Sequence, residues 1–269
     1  MGCCYQFQDV HFRYAESWVL RHCSLEVSEG EILGIIGPNG SGKTSLLKLM
    51  AGLLQPQEGL ISLHGHDVSA LSPQELARRV ALVPQESLMV FPFTVGELVL
   101  MGRFAHRKGW GWESADDLRL AGQAMQVMEV EHLADRTFQA LSGGERHRTM
   151  IARALSQHSR ILLLDEPTAF LDLKHQIEIY AILKGLNRDQ AVTVVLVSHD
   201  LNLASQHCDR LLLLHEGRPY RTGPPKDVLT AAHLRMVYGC DVLIDSHPLT
   251  GTPRITLPQG KENREEVKR

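Results

Sequence analysis

The residues able to do chemistry in this chain of 269 residues fall in three short stretches. The first is Gly37-Pro38-Asn39-Gly40-Ser41-Gly42-Lys43-Thr44, which fits G-x-x-x-x-G-K-[ST]. An apolar run at 32–36 precedes it, and Leu46, Leu47 and Leu49 follow at helical spacing. The motif therefore lies in the strand–loop–helix setting that it requires. Glycines let the backbone turn tightly and bring successive N–H groups onto an anion. The new helix aims the positive end of its dipole at the same point. A loop of this kind cradles phosphates, with Lys43 reaching the β- and γ-phosphates and the Thr44 hydroxyl ligating Mg²⁺. Contacts to a nucleotide are expected from Gly37 through Thr44 and from the adjacent Ser45.

The second stretch is Ile161-Leu162-Leu163-Leu164-Asp165-Glu166, an apolar run that ends in two carboxylates. A buried strand delivers such acids to the carboxyl edge of a parallel sheet, where ligands bind. Asp165 is expected to hold Mg²⁺, directly or through water, and Glu166 to act as general base on an attacking water. The third stretch is Leu141-Ser142-Gly143-Gly144-Glu145. Ser142 and Glu145 have the spacing of a capping box. The two glycines cost a helix about 1 kcal/mol each relative to Ala, and capping does not need them. Side-chain-free N–H groups at a helix start suit a second anion site. The loop at 37–44 already covers one phosphate face, so this second site is expected to serve another copy of the chain.

These stretches need a scaffold, and the chain can supply one. Its composition is ordinary for a globular protein, 43% hydrophobic and 22% charged, and its length suits one large domain or two small ones. A net charge of -3 argues against a dedicated nucleic-acid binder. Five cysteines, at 3, 4, 23, 208 and 240, form no C-x-x-C pair, which argues for a reducing cytosol and against a structural zinc site. The start Met1-Gly2-Cys3-Cys4 has Gln6 where a myristoylation signal needs Ser or Thr, and no signal peptide is visible. No apolar run has the length of a membrane span, so a membrane role requires partners that supply the helices.

Taken in order, 4–14 reads as an edge strand and 19–27 as a second strand closed by Ser28-Glu29-Gly30. A short strand at 59–63 leads to His64-Gly65-His66, where the central glycine favours a hairpin turn over a metal-binding histidine pair. Ser72-Pro73-Gln74-Glu75 starts a helix with cap, proline and capping glutamate in place. A strand at 80–83 follows. Residues 87–158 read as a helical insert, with helices at about 94–102, 113–129 and 143–157 and a loop at Gly109-Trp110-Gly111-Trp112. Beyond it come a strand at 161–165, a helix at about 174–188, and strands at 192–197 and 210–214 that complete the sheet, with a short helix after Asp200. The alternation predicts an α/β fold with a mainly parallel sheet. One domain is expected over 1–257 and a charged, mobile tail over 258–269.

LSGGE placed after G-x-x-x-x-G-K-T and just before LLLDEP resembles the signature of ABC-type ATPases, and the likeness covers nearly the whole chain. The resemblance implies a P-loop NTPase core, an N-terminal antiparallel β subdomain, and a helical subdomain inserted before the strand at 161–165. Tyr14 resembles the aromatic residue that stacks on adenine. Gln85 resembles the glutamine that contacts Mg²⁺ and water and senses a transporter partner. Phe170-Leu171-Asp172 stands where the family's D-loop falls, and Val197-Ser198-His199-Asp200 is similar to its switch segment, with His199 on the γ-phosphate. The implied mechanism is a head-to-tail dimer around two ATP molecules. Each site takes Lys43, Thr44, Gln85, Asp165, Glu166 and His199 from one copy, and Ser142, Gly143, Gly144 and the signature position Glu145 from the other.

Phe93-Thr94-Val95 and Gly102-Arg103-Phe104-Ala105-His106 are similar to the importer group for ferric siderophores, haem and vitamin B12, in which a G-R-x-P-H string is common and Ala105 here replaces the proline. Segments 223–230 and His247-Pro248 resemble that group too. Glu145, His147 and Phe170 also depart from common family residues. The resemblance implies ATP and Mg²⁺ as cofactors, transmembrane permease subunits and a periplasmic or surface substrate-binding protein as partners, and the cytoplasmic face of the inner membrane as the location. A soluble ABC ATPase acting on nucleic acid or ribosomes is the alternative, but long coiled coils and tandem cassettes are absent, as is the N-K-x-D string of GTPases.

Overall fold

Side-chain alternation along the strands decides how the layers stack. A computed structural model describes residues 2–85, 91–107, 113–169 and 171–258. In chain order its elements are β1 (Cys3–Arg13), β2 (Trp18–Ser28), β3 (Ile32–Ile36), α1 (Lys43–Met50), β4 (Glu58–Leu63), β5 (His66–Asp67), α2 (Pro73–Ala77) and β6 (Val80–Val83). Next come α3 (Val95–Met101), α4 (Ala115–Val127), α5 (Gly143–Ser156), β7 (Ile161–Asp165), α6 (Leu173–Gln190), β8 (Thr193–Val197) and α7 (Leu201–His207). The chain closes with β9 (Arg210–His215), β10 (Arg218–Gly223), α8 (Pro225–Val228), α9 (Ala231–Tyr238), β11 (Leu243–Ser246) and β12 (Pro253–Thr256).

The central sheet has the order β10-β9-β3-β8-β7-β6. All its neighbouring pairs are parallel except β10 with β9. Its central strands β3, β8 and β7 are buried on both faces, as a parallel sheet covered on two sides demands. Period-2 geometry sorts their side chains into two cores. Ile36, Leu162, Leu164, Val194, Leu196, Leu211 and Leu213 pack with α3 to α7. Leu33, Ile35, Leu163, Val195, Val197, Leu212 and Leu214 pack with α1 and with a separate antiparallel sheet of order β2-β1-β4-β5.

The predicted α/β class, the parallel sheet and the helices at 94–102, 113–129 and 143–157 are present, and the antiparallel N-terminal sheet is as the resemblance implied. Two expectations need correction. The strand at 4–14 is interior and not at an edge, because β1 bonds to β2 on one side and to β4 on the other; its polar Gln6 and Gln8 face outward, which weakened the alternation without freeing a backbone edge. The sheet is not complete at 214. A two-residue turn, Glu216-Gly217 with φ of 46° and 74°, returns β10 antiparallel onto β9, the geometry of a type I′ hairpin. His64-Gly65, with φ of 48° and 77°, makes the same turn between β4 and β5, so the hairpin reading holds there. The Gly109–Trp112 loop, Phe170 and nearly all of the predicted tail lie outside the described residues.

Candidate active site

The carboxyl ends of β3, β6, β7 and β8 carry the loops that hold the predicted residues, as the topology of an open parallel sheet favours. After β3, Gly37 has φ 150° and a Cβ there would stand 2.2 Å from the Leu214 carbonyl oxygen, so only glycine lets the chain leave the sheet this close to β9. Pro38, Asn39 and Gly40 carry the turn forward to Ser41. Gly42 begins α1 in the left-handed region and offers no capping side chain, which leaves the helix's first N–H groups facing the loop. The Lys43 ammonium donates to the Gly37 and Pro38 carbonyls at 2.9 Å each. Burial lowers its pKa, opposed by the carboxylates of Glu166 and Asp165.

Asp165 is 4% exposed at the end of β7. Burial raises its pKa, and a hydrogen bond from the Thr44 side chain works in the opposite direction. Among the described residues, its Oδ1 and the Ser41 hydroxyl are buried atoms with no hydrogen-bond partner, a costly condition in a finished core. A divalent cation fits this donor set. Thr44 and Asp165 supply the hard oxygen ligands that Mg²⁺ takes alongside water and phosphate oxygens, and they stand next to a loop built for anions.

Glu166 is the geometric centre of the site. It sits at φ 56°, a left-handed conformation rare outside glycine, with its N–H bonded to the Val197 carbonyl at 3.2 Å. Strain of this kind, of order 1 kcal/mol, is typical of functional positions. The carboxylate accepts from Gln85 Nε2 at 2.8 Å and faces His199 Nε2 at 2.5 Å. Gln85 follows β6 and His199 follows β8, so loops from three adjacent strands meet on one carboxylate. Ser198 N–H donates to the Ile35 carbonyl at 3.1 Å, and Asp200 caps α7 through the N–H groups of Asn202 and Leu203. Tyr14 lies just past β1 and is 60% exposed. Its ring packs edge-on against Phe12 and its hydroxyl is 3.2 Å from that of Ser45, in the first turn of α1. An open aromatic face thus stands beside the loop.

The third stretch is separate. Ser142 and Glu145 form a complete capping box at the start of α5, and both bonds to Ser142 lower the Glu145 pKa. Glutamate at this signature position therefore has a local use. Gly143 and Gly144 do not. A Cβ on Gly143 would meet nothing within 4 Å, and one on Gly144 only the Leu171 side chain at 3.5 Å. Among the described residues, nothing packed around the start of α5 requires glycine at either position. Asp172, from the predicted D-loop, caps α6 and pairs with His175 at 2.7 Å.

Sequence reasoning missed what the other end of α5 does. A Cβ on Gly102 would stand 2.2 Å from the Arg153 carbonyl oxygen. Buried Arg103 donates to the Ser156 carbonyl at 2.9 Å and pairs with Asp117 at 2.8 Å. His106 Nε2 meets the Gln157 carbonyl at 2.7 Å, and the Gln157 amide donates to the Val80 carbonyl at 2.7 Å. The Gly102-Arg103-x-x-His106 string therefore closes the C-terminal carbonyls of α5, where cations also complement the helix dipole, and Gln157 ties the helix to β6, the strand that leads to Gln85.

The sequence profile of the ABC transporter family matches residues 20–169. The chain belongs to the ABC transporter family. It is an ATP-binding, ATP-hydrolysing member, and no helix among the described residues is long and apolar enough to cross a membrane. The chain is similar to the hemin import ATP-binding protein HmuV of Pseudomonas entomophila, with 42% identity over 254 residues that cover 92% of this chain and 97% of that protein. Among solved structures, this ABC ATPase is similar to an inward-facing putative metal-chelate type ABC transporter (TM-score 0.82, 28% identity, 95% of this chain and 97% of that one). It also resembles the dimeric bacterial ABC transporter cassette MJ0796 (TM-score 0.74, 30% identity, 82% of this chain and 98% of that one).

Proposed function

We propose that this ABC ATPase powers the import of a metal chelate, of the class of ferric siderophores, haem or vitamin B12, and that it works as a head-to-tail dimer at the cytoplasmic face of the inner membrane. The observation that carries the catalytic half of this reading is the Gln85–Glu166–His199 constellation above the phosphate loop. Similarity to a hemin import protein and to a metal-chelate type transporter supports the cargo class. Similarity to a dimeric cassette supports the assembly. Permease subunits supply the membrane path, and a periplasmic or surface binding protein delivers the chelate to them.

In this reading, the N–H groups of 39–45 and the Lys43 ammonium hold the β- and γ-phosphates of ATP, and Tyr14 stacks on the base. Thr44, Asp165 and Gln85 would hold Mg²⁺, and the ion would neutralise phosphate charge. Glu166 takes a proton from a water whose oxygen bonds to the γ-phosphorus as the bond to the β-phosphate oxygen breaks. His199 keeps the Glu166 carboxylate aimed and lies within reach of the γ-phosphate oxygens. Ser142, Gly143, Gly144 and the Glu145 N–H of the second copy close the opposite face of the phosphates. Once the γ-phosphate leaves, the two half-sites lose the anion between them and part.

Affinity purification of the tagged chain from detergent-solubilised membranes tests the proposal. Recovery with multi-spanning subunits, and ATP turnover that rises when a chelate-loaded capture protein is added to the reconstituted complex, is the expected result. Recovery from the soluble fraction alone, with nucleic acid or ribosomes, would overturn it.

A further inference from the structure

Away from the phosphate loop, two of the four register shifts in the β1–β2 ribbon lie next to each other on opposite strands. The register slips between Phe7↔Leu25 and Val10↔Cys23, and again between Val10↔Cys23 and Phe12↔Leu20. The first slip leaves Asp9 extra on β1 and the second leaves His22 extra on β2. Both residues have left-handed backbones, with φ of 46° and 48°. Bulges re-aim side chains, and here they turn Asp9 and His22 toward His11, the next residue but one along β1.

The three side chains converge on one point. His22 Nδ1 lies 3.0 Å and His11 Nε2 lies 3.5 Å from the same oxygen, Asp9 Oδ1. All three potential ligand atoms lie within 4.8 Å of one another. Bonds of about 2.0–2.2 Å to a tetrahedral Zn²⁺ set neighbouring ligand atoms ~3.3 Å apart, so two of the three separations, 3.0 and 3.5 Å, bracket the spacing that a bound ion needs. The supporting contacts are in place as well. The His11 side chain is 11% exposed, and its ring makes T-shaped contacts with Trp18 at 5.6 Å and with His22 at 4.5 Å. The Asp9 N–H donates to the Ser24 hydroxyl at 3.1 Å. One ligand is thus fixed in the sheet, while Asp9 and His22, 68% and 60% exposed, have room to close on an ion arriving from solvent.

We propose that Asp9, His11 and His22 form a surface site for a divalent transition-metal cation such as Zn²⁺. Two imidazoles and one carboxylate suit zinc and its transition-metal neighbours and do not suit Mg²⁺ or Ca²⁺, which take oxygen ligands. Three protein ligands leave a coordination position for water. The bound ion staples β1 to β2 across both bulges, on the ribbon whose turn carries Tyr14. The site shares no residue with the ATP site, and its occupancy does not depend on the cargo proposed above.

The test is a titration of the full chain with Zn²⁺ against a chromophoric chelator. A Cys3→Ser, Cys240→Ser background removes the two exposed thiols. This parent is expected to take up one equivalent that a large excess of Mg²⁺ does not displace. His22→Ala and, separately, Asp9→Asn are expected to weaken that equivalent by roughly tenfold or more. Both substitutions are at exposed positions, and circular dichroism verifies that each variant is folded. Zinc is also expected to raise the melting temperature of the parent and not that of His22→Ala. Failure of the parent to bind, or equal affinity and stoichiometry in parent and both variants, would overturn the proposal.

Discussion

Replacing Gly143 by alanine separates the needs of the single chain from those of the assembled enzyme. Among the described residues, the added methyl meets no atom within 4 Å, and the residue is the first of α5. Glycine to alanine at a compatible helical position stabilises by about 0.5 kcal/mol, chiefly by restricting the unfolded chain. In a chain of this size that corresponds to an increase of about 1–2 °C in melting temperature. The proposed dimer predicts the opposite sign for function. If the Gly143 N–H lies against phosphate from another copy, the methyl group pushes the anion off its donors, and loss of one preorganised donor of this kind costs about 10²–10³ in turnover. The assay pairs a thermal melt of the nucleotide-free protein with steady-state phosphate release at saturating ATP. A more stable protein that hydrolyses ATP slowly is the expected result. Undiminished turnover would refute the reasoning, because the glycine would then be dispensable on both counts.

Lys43→Ala removes the ammonium that now bonds two loop carbonyls, and ATP affinity measured with a fluorescent analogue is expected to fall roughly 10–10²-fold, the worth of a charge-assisted hydrogen bond; unchanged affinity would refute its phosphate role. His207 stacks on Tyr180 at 4.4 Å, its Nδ1 has no partner among the described residues, and burial lowers its pKa from 6.5 to about 4. The folded state therefore binds fewer protons than the unfolded chain between these values, so His207 subtracts stability as pH falls from 6.5 to 4, by at most about 3 kcal/mol, and subtracts nothing above that window. His207→Phe keeps the stack and is expected to flatten urea midpoints across this range; an unaltered pH slope would show that other groups cause it.

Which parts of this were legible in the sequence follows from how local each signal is. The phosphate loop, the capping boxes at Ser72 and Ser142 and the strand ending at Asp165 are written in consecutive residues, and each appears where expected. The hairpin at His64-Gly65 was legible for the same reason. The interior place of β1 was not, because it depends on which strand occupies its second edge, from His11↔Glu58 to Tyr5↔Leu63 far along the chain, and outward-facing glutamines look the same at an edge or in the middle. The left-handed backbone of Glu166 is set by the Val197 carbonyl across the sheet, and a sequence shows no sign of it. Arg103 and His106 were legible as a string, yet their task of closing α5 shows only once residues 53 and 51 positions apart are brought together. The Asp9–His11–His22 cluster is hidden more deeply, since no spacing rule anticipates ligands re-aimed by two opposed bulges.

The most direct measurement is the mass in solution of Glu166→Gln with ATP and Mg²⁺. Glutamine keeps the size of the side chain and removes the base, which slows hydrolysis by about 10²–10⁴-fold and leaves ATP in place. Light scattering is expected to give the mass of two chains with ATP and of one chain with ADP. A protein that binds ATP tightly and remains a single chain would contradict the proposal that each nucleotide is enclosed by the phosphate loop of one copy and the Ser142-Gly143-Gly144 helix start of another.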